Sequence, residues 1–279
     1  MVTVVFGARG NVGRHVAAGL RAAGIPIRAT GRDPHAPGFP PDTPVVAADL
    51  DSPETLPAAL EGAEKVFLYT KPDGIDGFVK AARSAGVRHV VLLSSASVVI
   101  PDAEHNPIAQ LHRVVEAAIE GSGIDWTFVR PGMFATNTLW WWAQSIKTDN
   151  TVRTAYPDAQ IAPIHEKDMA ALAVTALTEP GHAQRAYTLY GPESLTIRQQ
   201  VEHIGEAIGR KITLDVISVE EARSDLAKSM PPIGVETIMR MLAASTDRPA
   251  ATSTVVEEVT GHPAHTFAQW AQDHADDFR

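Results

Sequence analysis

Three glycines stand near the start of the chain, Gly7, Gly10 and Gly13, in the stretch "VTVVFGARGNVGRHVAAGL". An apolar, β-branched run precedes them, and a segment rich in Ala, Val and Leu follows. Strand, tight glycine turn and helix in that order offer backbone N–H groups and a positive helix end to a phosphate, as in the sites that hold a dinucleotide's pyrophosphate. The spacing is GxxGxxG, tighter at its start than GxGxxG. The second strand ends in "IRATGRD", which puts Arg32 at the corner where a dinucleotide's adenosine ribose is read, and Arg9 lies in the glycine loop itself. A planar guanidinium fork matches phosphate oxygens, so the two arginines point to NADP(H). Asp33 keeps NAD(H) open, because a carboxylate there accepts from a free ribose hydroxyl. The alternative is that both are solvated surface arginines. Asp49, after a short third strand, either accepts from an adenine amino group or serves as a turn or helix-cap residue.

Further along, the sixth apolar run ends in "WTFVRPGMFATN", so Phe134 and Asn137 follow directly from a strand end and are expected to be pocket residues. "LWWWAQ" (139–144) places three tryptophans in succession. On a helix they splay by about 100°, so they cannot all face one core. Some, Trp141 among them, are expected to line a pocket, a lid or an interface. An aromatic substrate could stack there, and a subunit contact in a homodimer or plain core packing would use the same residues. "PIHEKDMA" carries His165, Glu166 and Asp168, but the spacing is not that of two ligands on one helix face. With no cysteine in the chain, no metal site is expected. His262, His265 and His274 are scattered among Gly, Pro and Asp and are expected to be exposed, as is the acidic end "DHADDF".

The elements that must position these groups alternate. Strands are expected at Val2–Phe6, Ile25–Thr30, Val45–Ala48, Lys65–Tyr69, in "HVVLLSS" and in "WTFVRPG"; helices at Val12–Ala23, Ser52–Glu61, Gly74–Ala85 and Asn106–Ser122. "DPHAPGFPPDTP" holds five prolines in twelve residues and must be loop. Uninterrupted apolar strands between helices indicate a parallel sheet covered on both faces. After Pro131 the pattern loosens. "EKDMAALAVTALTE" reads as a helix and "AYTLYG" as a further sheet strand. "TIRQQVEHIGEAIG" reads as a helix capped by Thr196, and the last sixty residues as largely helical. The expected fold class is α/β, a doubly wound parallel (Rossmann) sheet with a small, mostly helical C-terminal lobe. Residues 1–132 form the nucleotide-binding core, and 133–279 complete the sheet and build the substrate lobe.

A net charge of −9 argues against non-specific binding to nucleic acid or an anionic membrane. The absence of cysteine excludes disulfides and cysteine nucleophiles. The short apolar N-terminus ends in the glycine loop, so it reads as a strand rather than a signal peptide. No run is long enough to span a bilayer, and the expected setting is cytoplasmic. A small-molecule substrate is the expected partner.

"VTVVFGARGNVG", "AADLDSPETL", "KVFLYTKP", "HVVLLSSASV", "DWTFVRPGMFATN" and "LYGPESLT" occur in the order seen in NmrA-like proteins, atypical members of the short-chain dehydrogenase/reductase superfamily. The chain resembles that family over nearly its whole length, most of all the NAD(P)H quinone oxidoreductase and azoreductase-like branch. The resemblance implies cofactor contacts from Gly7, Arg9, Gly10, Asn11, Val12, Arg32, Asp49 and Leu50. It adds Tyr69 and Thr70 after the fourth strand, Ser94 beside the nicotinamide ribose, and Pro131 with Gly132 along the nicotinamide. It also implies that the Asp of "HEKD" is structural and that His165 faces a substrate cleft in some members.

One departure from the superfamily is informative. Its usual members use a Ser, a Tyr, and a Lys four residues later, the tyrosine giving a proton to the carbonyl oxygen as hydride reaches carbon. Ser95 stands at the serine position, but the tyrosine position holds Ile108 and the lysine position His112. The expected activity is therefore an NADPH-dependent reductase whose acceptor needs little acid assistance: a quinone, an enone, an iminium or another small aromatic electrophile. Ser95 and His112 are the expected polar groups nearest the acceptor. Two other readings share the same residues, a non-catalytic NAD(P)(H) sensor that binds a protein partner and a redox-neutral tailoring isomerase or cyclase.

Overall fold

The apolar strand runs of the N-terminal half alternate between two buried faces. Val4, Val66, Leu68, Val90, Leu92 and Phe128 pack with Leu56, Phe78, Val115 and Ile119 on one side. The intervening Val5, Phe67, Val91 and Val129 are equally buried and point the other way. Strands covered on both faces belong in the interior of a parallel sheet.

The computed structural model describes residues 2–101, 103–228 and 230–279. Its elements run β1 Val2–Val5, α1 Gly13–Ala22, β2 Ile27–Gly31, β3 Val45–Ala47, α2 Leu56–Leu60, β4 Ala63–Tyr69, α3 Ile75–Ala85, β5 His89–Leu93, α4 Pro107–Glu120 and β6 Asp125–Pro131. There follow a π-helical turn Leu139–Ala143, α5 Gln144–Asp149, β7 Thr151–Thr154, β8 Gln160–Ile161, α6 Glu166–Thr178, β9 Arg185–Leu189, β10 Leu195–Thr196 and α7 Ile197–Ile208. The chain closes with β11 Thr213–Val216, α8 Val219–Leu226, α9 Pro232–Ala244, α10 Val255–Thr260 and α11 Phe267–Asp273. It divides into two compact units. The first comprises the chain through Pro131 with Glu166–Leu189 and Val255–His262; the second comprises Gly132–His165, Tyr190–Thr254 and Pro263–Arg279.

In the first unit the described residues form a seven-stranded sheet in the order β3-β2-β1-β4-β5-β6-β9. All of its pairings are parallel. The order reverses at β1 and β4, the switch point at whose carboxyl edge open α/β sheets bind ligands. Helices α1 and α6 pack on each other so closely that a Cβ on Gly19 would come within 2.9 Å of Val174. The residues 52–61 expected as one helix are a 3-10 turn, Pro53–Thr55, followed by α2. Pro57 has no N–H to return to the Pro53 carbonyl, so the first turn cannot be α-helical. Helix α4 starts where Asn106 accepts from the Ile108 and Ala109 N–H groups, with Pro107 in its first turn.

The second unit is mostly helical, with β8 and β10 paired antiparallel and β7 and β11 paired parallel. Its core holds Trp142, Ile146, Val152, Ile204, Phe267 and Trp270. Thr196 caps α7 through a reciprocal bond pair with Gln199. Among the described residues no helix is long and apolar enough to cross a membrane.

Candidate functional site

The glycine loop closes on one atom, the Gly7 carbonyl oxygen. The Gly10 N–H donates to it at 2.8 Å. A Cβ on Gly13 would stand 2.2 Å from it, which leaves no room for a larger residue, and one on Gly10 3.2 Å, a tight contact. Gly7 adopts φ +71, a conformation that disfavours side chains. Val12 precedes α1 with no side-chain cap and no acid in the first turn. The Arg14 and His15 N–H groups bond to the Gly10 and Val12 carbonyls, and no side chain caps this positive helix end, which suits an anion. Asn11 stands half-buried in the same turn.

Arg9 leaves this loop toward the proline-rich segment. Its guanidinium lies 5.1 Å from the Phe39 ring centroid and donates to the Pro37 carbonyl at 3.3 Å. Phe39 is itself held against Gly31, where a Cβ would meet the ring at 2.6 Å. The cation–π contact fixes the direction of Arg9. Arg32, next to Gly31, is exposed. Asp33 turns its Oδ1 to the His35 N–H at 2.8 Å and so organises the loop. Sequence reasoning missed Phe39. Its only local signal was a lone aromatic among prolines.

Asp49 behaves as a turn residue in the structure: its Oδ1 accepts from Asp51 N–H at 3.1 Å, and its own N–H reaches the Thr55 hydroxyl at 3.0 Å. Leu50 is buried, its carbonyl pressed on Gly74. The Tyr69 ring lies over the glycine loop, 3.1 Å from where a Gly7 Cβ would be. Partial burial raises the Tyr69 pKa, and the Asp49 carboxylate raises it further, while Lys71 and Arg32 pull it down. The Thr70 hydroxyl donates to the Leu93 carbonyl at 2.9 Å.

At the end of β5 the Ser94 hydroxyl donates to Glu116 at 2.7 Å. Glu116 is fully buried and also accepts from Arg130 twice, at 2.8 Å each, and from Arg113 at 3.0 Å. Burial alone would raise the Glu116 pKa; the hydrogen bonds from Arg130, Ser94 and Arg113 together outweigh it and hold the carboxyl below its ordinary value. Ser95 accepts from the Ser97 N–H at 3.1 Å, a bond that leaves its hydroxyl proton to donate elsewhere. On α4, burial lowers the His112 pKa against an opposing pull from Glu116, so the imidazole is neutral near pH 7. Among the described residues, the buried His112 Nδ1 and Ser97 Oγ lack a hydrogen-bond partner. Ser97 had no distinguishing signal in the sequence.

In the second unit, Gly132 sits against the Tyr190 ring, where a Cβ would come within 2.5 Å. Phe134 bridges to Ile164. Asn137 donates to the Met133 sulfur at 2.7 Å, and among the described residues the buried Thr136 hydroxyl has no partner. Pro131, the last residue of β6 in the first unit, is buried. The tryptophans separate as their spacing predicts. Trp140 is 71% exposed, Trp141 half-buried and Trp142 buried, with the last two ring centroids 6.2 Å apart. His165, expected to face a cleft, is 1% exposed and pairs with Asp273 at 3.2 Å. His265 and His274, expected to be exposed, pack their rings 4.9 and 6.3 Å from His165. His274 is buried and stacks on Trp270, with its Nδ1 2.7 Å from Asp277. The physical reason is that α11 turns its buried face, Trp270 and Ala271, into the core and carries His274 in with it. His262 is exposed as expected.

A family model described as NAD(P)H-binding matches residues 7–180. A (4-alkanoyl-5-oxo-2,5-dihydrofuran-3-yl)methyl phosphate reductase of Streptomyces griseus subsp. griseus is 39% identical, covering 99% of this chain and 98% of its own. An NAD(P)H azoreductase of Xenophilus azovorans is 34% identical over 98% of this chain and 97% of its own. The chain also shares the fold of a Citrobacter triphenylmethane reductase complexed with NADP(H), with TM-score 0.79, 23% identity, and 98% and 99% of the two chains covered. An Escherichia coli NADPH-dependent quinone oxidoreductase complexed with NADPH also matches, with TM-score 0.79, 24% identity and the same coverage.

Proposed function

The chain belongs to the NAD(P)H-binding family, and on that premise we propose that it is an NADPH-dependent reductase of conjugated acceptors, quinone-like rings and enones. The glycine loop fits the cofactor, since only glycine at 13 lets the start of α1 close on the Gly7 carbonyl and bring the loop backbone and helix end together, the arrangement that would receive a pyrophosphate. Gly7, Gly10, Asn11 and Val12 hold the pyrophosphate. Arg9 and Arg32 take the 2′-phosphate, and Tyr69, Thr70, Asp49, Leu50, Ser94 and Pro131 line the rest. The cofactor supplies the hydride.

What carries the choice of acceptor is the pair of residues on α4. Ile108 has no proton to give, and His112 is kept neutral by burial. An acceptor that develops a localised alkoxide would lack a strong acid here. A conjugated acceptor spreads the incoming electron pair over its carbonyl groups, and a proton from water completes the reduction. The relative at 39% identity is named for a 5-oxo-2,5-dihydrofuran that bears an alkanoyl group, a double bond activated by two carbonyls. Ser95 donates a hydrogen bond to the acceptor oxygen as charge builds on it. His112 offers its unpartnered nitrogen to a hydroxyl of the cofactor ribose.

The test is NADPH oxidation, followed by absorbance, against quinones, acylated butenolides, simple enones and saturated ketones. Turnover of the conjugated compounds and none of the ketones is expected. Equal turnover of ketones would refute the choice of acceptor. Tight NADPH binding with no turnover of any acceptor would replace the reductase with a sensor or a redox-neutral enzyme.

A further inference from the structure

The second unit has a flaw in its packing. Trp142, Ile197 and Leu242 belong to its main core, while Ala222 and Met239 form a separate small cluster with α8 and α9. Where the two clusters fail to merge there is a cavity of about 100 Å³. Trp141, Trp142, Tyr156, Ile238 and Met239 make its apolar walls, and Arg153 and Asp225 stand at its edge. Protein interiors are close-packed, so a gap of this size lined by indole, phenol and thioether groups is a receptor-like feature.

The walls say what fits. The rings of Trp141 and Trp142 are inclined at 58°, so they form a wedge and not a slot. A flat ring stacked on one indole meets the other at a tilt, so both can contribute aromatic contact. The volume is that of about three waters at about 30 Å³ each and about two-thirds of the apolar cavities of about 150 Å³ that take up benzene, so a single ring fits only with its substituent left at the cavity edge. The edge says which charge is accepted. Arg153 is bound by Asp215, Glu221 and Asp225 at 3.4, 3.6 and 2.5 Å, and Lys228 pairs with Asp225 at 2.7 Å. Two cations face three carboxylates, which leaves the rim negative by one. The Arg153 guanidinium is thus already neutralised and does not recruit an anion, whereas indole faces favour cations.

We propose that this cavity is a binding site for a single aromatic ring, neutral or positively charged. It takes one ring, and not a fused system, because of its volume, and it rejects carboxylated rings because of its rim. The inference does not rest on the reductase reading, since occupancy is measured without NADPH and without turnover.

The experiment is saturation-transfer NMR on the full chain with phenol, benzylammonium and benzoate as probes, repeated with Ala222→Leu and Met239→Trp, each of which fills the cavity. Saturable binding of phenol and benzylammonium is expected, with Kd on the order of 1 mM for ligands this small. Benzoate is expected to bind at least tenfold more weakly. Either filling variant that keeps a cooperative thermal transition should lose at least tenfold in probe affinity while retaining its NADPH affinity. Three results would each overturn the proposal: no ring binds, benzoate binds as well as benzylammonium, or a folded filled variant binds like the parent. The charge selectivity is read on the parent chain, so the proposal stays exposed even where one variant does not fold.

Discussion

Arg130 meets Glu116 edge to edge, its Nε and a terminal nitrogen each 2.8 Å from a different carboxylate oxygen. The pair ties the end of β6 to α4, and Ser94 at the end of β5 joins it through the second lone pair of Oε1. Three neighbouring elements at the carboxyl edge of the sheet are thus fixed by one buried carboxylate. A buried pair is costly to break from one side, because the remaining charge has no partner. Glu116→Ala is expected to lose about 3–5 kcal/mol in urea unfolding. The double variant Glu116→Met with Arg130→Met is expected to lose less than the single one, since it removes both charges.

The same carboxyl sets a pH limit. Its folded pKa lies below the ordinary 4.5, so its contribution is complete above that value and is lost as pH falls below it. Acid titration of stability should therefore be shallower in Glu116→Gln below pH 4.5 than in the parent chain.

His89 acts in a different window. It is buried at the start of β5, with Nε2 2.9 Å from the Thr127 hydroxyl, which itself donates to the His182 carbonyl. Thr127 must then accept from His89, which assigns the proton of the neutral ring to Nε2. Burial, assisted by Lys65, pushes the pKa from 6.5 down to about 4. The unfolded chain takes up a proton that the folded chain refuses, so stability is full above pH 6.5 and falls as pH drops toward 4. The loss is about 3 kcal/mol at most, because each tenfold weakening of proton affinity is worth roughly 1.4 kcal/mol. Urea midpoints at pH 7 and pH 5 should converge in His89→Gln.

Gly13 and Gly62 separate two kinds of glycine. Gly13→Ala drives a methyl group into the Gly7 carbonyl, so the loop must open; the NADPH Kd is expected to rise at least tenfold. Gly62 has φ +64 and nothing within 4 Å, so Gly62→Ala carries only backbone strain, about 1 kcal/mol. NADPH affinity in Gly62→Ala should match the parent by fluorescence titration.

Arg9 owes its direction to Phe39. Phe39→Ala removes a cation–π contact of about 0.5–1 kcal/mol, and NADPH affinity is expected to fall a few-fold with NADH affinity unchanged. If Arg32 takes the 2′-phosphate as proposed, Arg32→Ala removes a charge-assisted bond, with an expected loss of about tenfold or more for NADPH alone. Equal losses for the two cofactors would place the arginines away from that phosphate.

The amino-acid sequence by itself determined the sheet, the glycine loop and the placing of Ile108 and His112 one turn apart on α4. Each of these is written in neighbouring residues: apolar runs, glycines three apart, prolines that forbid a helix, and Ile108 and His112 four apart. Local sterics and strand periodicity act over such distances and need no knowledge of the rest of the chain. Tertiary structure decided which polar groups are occupied. Ser94, 22 residues from Glu116, and Arg130, 14 residues from it, meet on one carboxylate, so the Ser94 hydroxyl faces inward. His165 finds Asp273 across 108 residues and packs its buried ring near two histidines that looked exposed, His274 buried and His265 half-buried. Phe39 reaches Arg9 from a loop whose sequence shows only that it is not a helix. Hydrogen bonds and ring contacts of this kind depend on where separate elements come to lie, and packing alone sets that.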